Sequence, residues 1–241
     1  MLRSVQDMLG YRIHAVDEDI GSVENFYFDD EAWVIRYLIV DTGNWLPGRR
    51  VLISPEAIVK VGELDRGVFL SVTKERVEGA PSIREDLPVS RQEEARLAHY
   101  YGWTAYWAPG MPPAGAVPPP PEGVLAEERE ADRHLRSVRE VSGYHVKATD
   151  GEIGHTEDFI AETESWIIRY LAIDTRNWLP GKKVLIAPDW FGDIDWAGRS
   201  VNAVLSREQI RNAPEYNPNE PVNRRYEAML YDYYGRPVYW E

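Results

Sequence analysis

The sequence contains no cysteine, which excludes a disulfide framework, a thiolate nucleophile and a cysteine-type metal site. It also lacks a long apolar run, because its most apolar stretch, 33–40, contains Arg36 and is far shorter than the roughly 18–20 residues that span a bilayer. The first residues do not form the apolar core of a signal peptide. We therefore expect a soluble, cytoplasmic protein.

Positive charge is scarce: 27 Lys and Arg stand against 40 Asp and Glu, a formal net charge of −13. Nucleic-acid affinity rests largely on clustered Lys and Arg, so the balance disfavours a nucleic-acid partner. The 241 residues, 44% of them hydrophobic, suit one large or two small globular domains.

Signatures of catalysis and metal binding are also missing. The sequence has no GxSxG, no Walker-type glycine loop and no GxGxxG after a strand. Its histidines form no HxxxH or HxH pair, and none recurs at the matching place of the repeat described next; they are His14, His99, His134, His145 and His155. We interpret them as ordinary surface or strand residues, and we expect no catalytic residue, no cofactor and no metal.

The chain repeats itself. Residues 41–54 read DTGNWLPGRRVLIS and residues 174–187 read DTRNWLPGKKVLIA, a shift of 133 positions. The same shift relates the start of each copy, at Leu2 and Leu135, and its end, at Trp107 and Trp240. A repeat of this length indicates two similar domains rather than a solenoid, so we predict one domain over 1–107 and a second over 135–241.

Between the copies lies a proline-rich and acidic segment, 108–134. Seven of the residues 108–123 are proline, which excludes a helix or a central strand and favours an extended spacer. The acidic run 126–132 follows it. We interpret the segment as a linker.

Within each copy, short β-branched runs alternate with polar turns, which is typical of a small antiparallel β-barrel or sandwich. In the first copy the expected strands are 12–16, 22–29, 33–41, 50–53, 58–61 and 68–72. Capping boxes at Ser90 and Ser206 predict helix starts, and Gly102 predicts a helix end near Tyr101. In the second copy the spacing predicts a docking stripe of Tyr226, Leu230 and Tyr233.

Four stretches together carry a family resemblance: LRSVQDMLGYRIHAVDEDIGSVENF, WVIRYLIVDT, NWLPGRRVLIS and SVTKERVEGAP. With them the chain resembles the PRC-barrel family, named after the cytoplasmic domain of the photosynthetic reaction-centre H subunit. A related barrel forms the C-terminal half of a bacterial ribosome-maturation factor. The resemblance covers about 2–83 and 135–216 and implies a bacterial origin, as well as a small barrel that contacts proteins or RNA rather than a catalytic scaffold.

Two features depart from those relatives. The reaction-centre subunit is anchored by a transmembrane segment that this sequence lacks, and residue 2 already begins the barrel pattern, so we expect the maturation factor's N-terminal domain to be absent. We therefore predict a mainly β protein: two antiparallel PRC-type barrels in tandem, each with a short C-terminal helix and an aromatic tail.

Repeated carboxylates are the strongest candidates for chemistry; they are Asp17, Glu24, Glu31 and Asp41, with Asp150, Glu157, Glu164 and Asp174 in the second copy. Two carboxylates in a cleft can perform acid–base catalysis. Asp17 and Glu31 lie in expected turns, where polar side chains stabilise the backbone, and Glu24 is placed to pair with Arg36. We favour structural roles for all eight.

The repeated basic turns are the candidate binding site, with Trp45, Leu46, Pro47, Gly48, Arg49 and Arg50 in the first copy and Trp178, Leu179, Pro180, Gly181, Lys182 and Lys183 in the second. Each Trp is either a lid on the barrel end or an interface anchor. We favour the lid, and then expect the two Leu residues to be more exposed and the basic pair to add little stability.

Together these patterns predict a non-enzymatic protein-binding or scaffolding module, whose two barrels pair with each other or form a homo-oligomer. The alternative is an RNA- or ribosome-associated adaptor that uses the basic pairs. A hydrolase or another small-molecule enzyme is the third possibility.

Overall fold

A computed structural model describes residues 1–43, 46, 51–81, 89–107, 134–175 and 182–240. The protein is mainly β. In chain order the strands are β1 (Leu2–Ser4), β2 (Arg12–His14), β3 (Asp19–Asp29), β4 (Val34–Asp41), β5 (Val51–Ile53), β6 (Ile58–Gly62), β7 (Gly67–Leu70), β8 (Leu135–Ser137), β9 (His145–Ala148), β10 (Gly151–Glu162), β11 (Ile168–Asp174), β12 (Lys183–Ile186), β13 (Phe191–Asp195) and β14 (Ser200–Ala203). The helices are α1 (Lys74–Glu78), α2 (Arg91–Tyr101), α3 (Val138–Val141), α4 (Arg207–Asn212) and α5 (Arg224–Tyr234).

The chain forms two compact units, each discontinuous in sequence. The N-terminal unit contains Met8–Glu31 and Ile35–Arg136, and the C-terminal unit contains Met1–Asp7, Ala32–Val34 and Ser137–Glu241. The units therefore differ from the predicted contiguous halves by the exchange of the residues around β1 and β8.

Each unit has a seven-stranded sheet of mixed pairing. The strand order is β5-β4-β3-β2-β7-β6 in the N-terminal unit, with β8 added on β3, and β12-β11-β10-β9-β14-β13 in the C-terminal unit, with β1 added on β10. β2 pairs with β7, and β9 with β14, in parallel. The expectation of purely antiparallel pairing is therefore wrong, and over the described residues neither strand order closes on itself.

The length of β10 explains how it holds two strands on one edge. Its first half, Gly151–His155, pairs with β9, and its last residues, Ile160–Glu162, pair with β1, while β11 lines most of its other edge. Sequence reasoning predicted the repeated strands of each copy but not β1 or β8, since three residues are too few for a periodic pattern.

Apolar side chains on the inward faces of the strands form the core of each unit. Fully buried members in the N-terminal unit include Tyr11, Ile13, Phe26, Phe28 and Leu38, and those in the C-terminal unit include Tyr144, Val146, Phe159, Tyr170 and Ile173. Gly21 and Gly154 allow one close crossing in each unit, because an added Cβ would lie 2.0 Å from the carbonyl oxygen of Asp41 or Asp174. Their φ angles, +136° and +148°, also favour glycine.

Two helices, α2 and α4, begin where the sequence predicts. Ser90 and Ser206 form capping boxes with Glu93 and Gln209, and α2 ends at Gly102 with φ 77°. The predicted stripe on α5 is correct for Leu230, which is buried, but wrong for Tyr233, which is 38% exposed; the buried face also carries Glu227, Tyr231 and Tyr234. No helix within the described ranges is long and apolar enough to cross a membrane.

Candidate functional site

The second basic turn directs its lysines inward onto the protein. The Lys182 ammonium donates hydrogen bonds to the carbonyl oxygens of Arg211 and Ala213 at the end of α4. These carbonyls lack partners within the helix, and a cation there also meets the negative end of the helix dipole. Burial lowers the pKa of Lys182. The charge of Lys182 therefore stabilises the C-terminal end of α4.

Lys183 is also engaged within the C-terminal unit. Its ammonium lies 2.6 Å from the Glu157 carboxylate, and its carbonyl accepts a 2.8 Å hydrogen bond from the amide of Tyr216. An open cavity of about 550 Å³ lies beside it, lined also by Glu215, Asn217 and Pro218. Burial, and then the charges of Asp158 and Glu157, raise the pKa of Tyr216 to about 12. The cavity wall thus holds a neutral phenol and a paired lysine.

In the first basic turn only Leu46 is described, and it is 9% exposed. The expectation that Leu46 is an exposed member of the turn is therefore wrong: the side chain is buried, and its carbonyl accepts a hydrogen bond from the Thr42 hydroxyl at 3.3 Å. The other candidates lie outside the described residues; they are Trp45, Pro47, Gly48, Arg49, Arg50, Trp178, Leu179, Pro180 and Gly181. The choice between lid and anchor stays a prediction.

Two of the repeated carboxylates stabilise helix starts. Asp17 accepts a 2.9 Å hydrogen bond from the amide of Lys74, the first residue of α1, and Asp150 accepts one of 2.7 Å from the amide of Arg207, the first residue of α4. A carboxylate there satisfies an amide that has no partner within the helix and also complements the helix dipole. The contact that each carboxylate makes is therefore with a helix 57 residues further along the chain, rather than only with its own turn.

The predicted partner of the next carboxylate pair is wrong. Glu157 pairs with Lys183, whereas Arg169 pairs with Glu162 at 2.7 Å. In the N-terminal unit Arg36 lies 3.2 Å from Asp29, a residue preceding the hairpin turn that contains Glu31. In both units the arginine meets the carboxylate seven positions before it.

The last pair differs between the two units. Asp41 is exposed and accepts a hydrogen bond from the amide of Gly43 at 2.9 Å, whereas Asp174 is 4% exposed and lies 3.9 Å from the His155 ring. Two further histidines contact carboxylates at the surface: His14 with Asp19 and His145 with Glu152. His134 is different, because only 9% of it is exposed, so its interpretation as an ordinary surface or strand residue is wrong.

His134 contacts a carboxylate that sequence reasoning missed. Glu94, on α2, is fully buried. It accepts a 2.7 Å hydrogen bond from the Tyr106 hydroxyl and lies 3.1 Å from the His134 ring and 3.4 Å from the Arg91 guanidinium. Burial together with this negative charge raises the pKa of Tyr106 and of Tyr37, on β4. We call Glu94 and these four residues the Glu94 cluster.

The C-terminal unit has a matching group. Glu227, on α5, is 2% exposed and accepts hydrogen bonds from Tyr170 at 2.8 Å and from Tyr239 at 2.7 Å, with Arg224 at 3.1 Å. Burial, then the hydrogen bond to Glu227, raise the pKa of Tyr239 to about 12. We call these four residues the Glu227 cluster.

Both clusters connect three separate segments: a central strand, the late helix and the aromatic tail. A further arginine stacks on each tail tyrosine, Arg36 at 3.8 Å from the Tyr106 ring and Arg169 at 4.0 Å from the Tyr239 ring. Every carboxylate oxygen thus has a phenol or a cation nearby, as buried charge requires. One sequence signal was available, since both glutamates occur at matching positions among the apolar residues of their helices.

A further feature is the position on β10 that β1 occupies, here called the β1 acceptor. Two residues before the paired stretch of β10 lies Asp158, whose carboxylate accepts hydrogen bonds from the Ser4 hydroxyl and from the Gln6 amide, the latter at 2.9 Å. Val5 donates to the Phe159 carbonyl at 2.8 Å. Burial raises the pKa of Asp158, and the bonds from Ser4 and Gln6 oppose that shift. The acceptor thus binds an extended segment through backbone pairing and one buried carboxylate.

The N-terminal unit binds β8 on β3 in a similar way. The Arg136 guanidinium donates to Asp30 at 2.7 Å, with both side chains largely buried, and the Asp30 amide donates to the His134 carbonyl at 2.9 Å. Burial raises the pKa of Asp30, and Arg136 opposes that shift. This segment therefore delivers both Arg136 and the histidine of the Glu94 cluster.

Within the described residues, no group of three or more His, Cys, Asp or Glu side chains is arranged to hold a metal ion. No curated protein matches the chain. A family model does match its first copy, which contains β1 to β7. That model is the PRC-barrel domain, and it matches residues 2–74.

Proposed function

We propose that the chain is a cytoplasmic, non-enzymatic protein-binding or scaffolding module made of two PRC-type barrels in tandem, each followed by a helix and an aromatic tail. The element bounds support two equivalent barrels. The strands β6 and β13, the strands β7 and β14, and the helices α2 and α5 all lie 133 residues apart, as Ile58 and Phe191 illustrate.

The observation that carries the proposal is strand addition. Each unit completes its sheet with a short segment from a remote part of the sequence: Leu2 pairs with Glu162, and Arg136 contacts Asp30. Adding an extended segment to a sheet edge is a common mode of peptide recognition, in which backbone bonds give affinity and side-chain contacts give specificity. Two strand additions made by the chain's own segments therefore support this mode of recognition.

The state of the buried carboxylates supports a non-enzymatic role. Glu94 and Glu227 are saturated by phenols and cations, and Asp158 is occupied by Ser4 and Gln6. A general acid or base must reach the proton of a substrate, and these groups are held by structural contacts instead.

An RNA- or ribosome-associated adaptor is the second candidate, and the basic pairs are its basis. In the second turn Lys182 and Lys183 are engaged with carbonyl oxygens and with Glu157, which leaves less charge for phosphates. An RNA mobility shift at rising salt separates the two functions, since binding through phosphates weakens steeply with salt.

Peptide binding to the full-length protein tests the proposal. The variant Ser4→Ala/Gln6→Pro removes the two hydrogen bonds of the chain's own segment to Asp158 and leaves the acceptor intact. We expect a fluorescent peptide MLRSVQD to bind this variant, as measured by anisotropy, and to bind the unchanged protein much more weakly, because an attached segment competes at an effective concentration of about millimolar.

The matched control keeps the weakened segment and adds Asp158→Ala in the acceptor. Each lost bond to a buried carboxylate costs about 1.5–3 kcal/mol, so this variant should bind the peptide at least roughly tenfold more weakly. Equal binding to both variants, or binding to neither in folded protein, would refute strand addition as the mode of recognition.

A further inference from the structure

The segment that fills the β1 acceptor occurs twice in the chain. Residues 2–5 and 135–138 both read Leu-Arg-Ser-Val. We propose that the β1 acceptor also binds residues 1–7 of a second copy of this chain, so that two chains exchange β1 and form a dimer. This inference rests on the strand addition proposed above and names the partner.

The contacts of β1 are independent of how β1 is connected to its acceptor. They come from residues 1–7 and include the register of Leu2 to Ser4 along β10, the Val5 amide and the bonds of Ser4 and Gln6 to Asp158. The residues that follow, from Met8, belong to the other unit. A segment supplied by another molecule can therefore make the same contacts.

When β1 is exchanged between two copies, it makes the same bonds that it makes in the closed monomer, in which β1 pairs with β10 of its own chain. The donor and acceptor lie far apart in sequence, as Leu2 and Glu162 show, so the connection adds only effective concentration. Swapping an identical element between protomers is for this reason a low-cost route to a dimer. Closed monomers should dominate in dilute protein, and exchanged dimers should increase as chain concentration approaches the millimolar range.

The β1 acceptor on β10 and the position on β3 that β8 occupies are not equivalent. This difference favours pairing of β1 with β10. The acceptor on β3 offers Asp30, which is engaged with Arg136 at 2.7 Å. At the matching position, directly after the end of β10, stands Thr163, whose amide and hydroxyl both donate to the Met1 carbonyl. Segment 1–7 and its acceptor therefore form one matched pair, and the exchange involves this pair.

A disulfide experiment on the full-length, cysteine-free chain tests the exchange. Arg3 and Ala161 face each other in the antiparallel register, and directly opposed Cα atoms lie about 4.5–5.5 Å apart, within the range of a disulfide. An Arg3→Cys chain and an Ala161→Cys chain are unfolded together, refolded at about 1 µM to 1 mM and oxidised. We expect a linked two-chain species whose share rises with concentration.

Two controls make the result decisive. The Arg3→Cys/Ala161→Cys chain must close its own disulfide; where it does not, Leu2→Cys and Glu162→Cys replace the pair. Random linking is measured by mixing an Arg3→Cys chain with a Val59→Cys chain. Val59 is 71% exposed on β6, so a cysteine there is accessible to any other chain. Linking no greater than in this control overturns the exchange, and peptide binding in the earlier experiment would then still support strand addition.

Discussion

The Glu227 cluster predicts that the loss of a single buried hydroxyl destabilises the C-terminal unit. Tyr170 is fully buried, and its hydroxyl donates to Glu227 at 2.8 Å. Tyr170→Phe keeps the ring and removes only this bond. One oxygen of the buried Glu227 carboxylate then loses a hydrogen-bond donor. Hydrogen bonds to charged groups contribute about 1.5–3 kcal/mol, so we expect the free energy of unfolding to fall by about 2–3 kcal/mol.

The measurement is thermal and urea unfolding followed by tryptophan fluorescence. For a unit of about a hundred residues, each kcal/mol lowers the melting temperature by about 4–8 °C, so the transition of this unit should fall by roughly 10 °C or more. Tyr106→Phe removes the 2.7 Å hydrogen bond to Glu94 and should lower the transition of the other unit instead.

Tyr233→Phe is the control within the same helix. Its hydroxyl donates to the carbonyl oxygen of Gln209 at 2.7 Å, but the side chain is 38% exposed and water replaces the bond. We expect a loss of about 0.5–1 kcal/mol. If Tyr170→Phe costs no more than Tyr233→Phe, the buried carboxylate does not hold the strand, helix and tail together.

Three further predictions concern backbone, charge and connectivity. Gly154→Ala should destabilise the protein by about 3 kcal/mol or more, because the added Cβ would lie 2.0 Å from the Asp174 carbonyl oxygen. Gly192→Ala is the control: its Cβ would lie 3.6 Å from the nearest atom, so the melting temperature of this variant should be almost unchanged. Hydrogen bonds from Ser165 and Arg169 lower the pKa of Glu162 below its ordinary 4.5, so its contribution to the free energy of unfolding is present above pH 4.5 and is lost as the pH falls through the folded-state pKa. Glu162→Gln should therefore flatten the acid limb of a curve of stability against pH. An unchanged acid limb would contradict this. A fragment of residues 1–107 lacks β8, so it should fold by placing its own β1 on β3, within one chain or between two. The Val5 amide is the reporter, since it donates to the acceptor strand in the whole protein, and a folded fragment whose Val5 amide exchanges freely with solvent would disprove this placement.

Local sequence determined the repeated strands and the starts of α2 and α4. The capping boxes at Ser90 and Ser206 and the helix end at Gly102 depend on neighbouring residues, whereas the close crossings at Gly21 and Gly154 depend on Asp41 and Asp174, twenty residues away. The helix starts and the helix end are readable because a cap or a turn is specified within about four residues. The PRC-barrel assignment of residues 2–74 rests on the same kind of pattern.

Tertiary structure alone decided which sheet each Leu-Arg-Ser-Val segment completes. Residues 2–5 and 135–138 have the same sequence, so no local preference distinguishes their acceptors, and the choice depends on remote partners such as Asp158 and Asp30. The burial of Glu94, Glu227 and Leu46 has the same origin. A glutamate on a helix reads as a solvated residue, and it becomes a buried anchor only where phenols and cations from distant segments surround it.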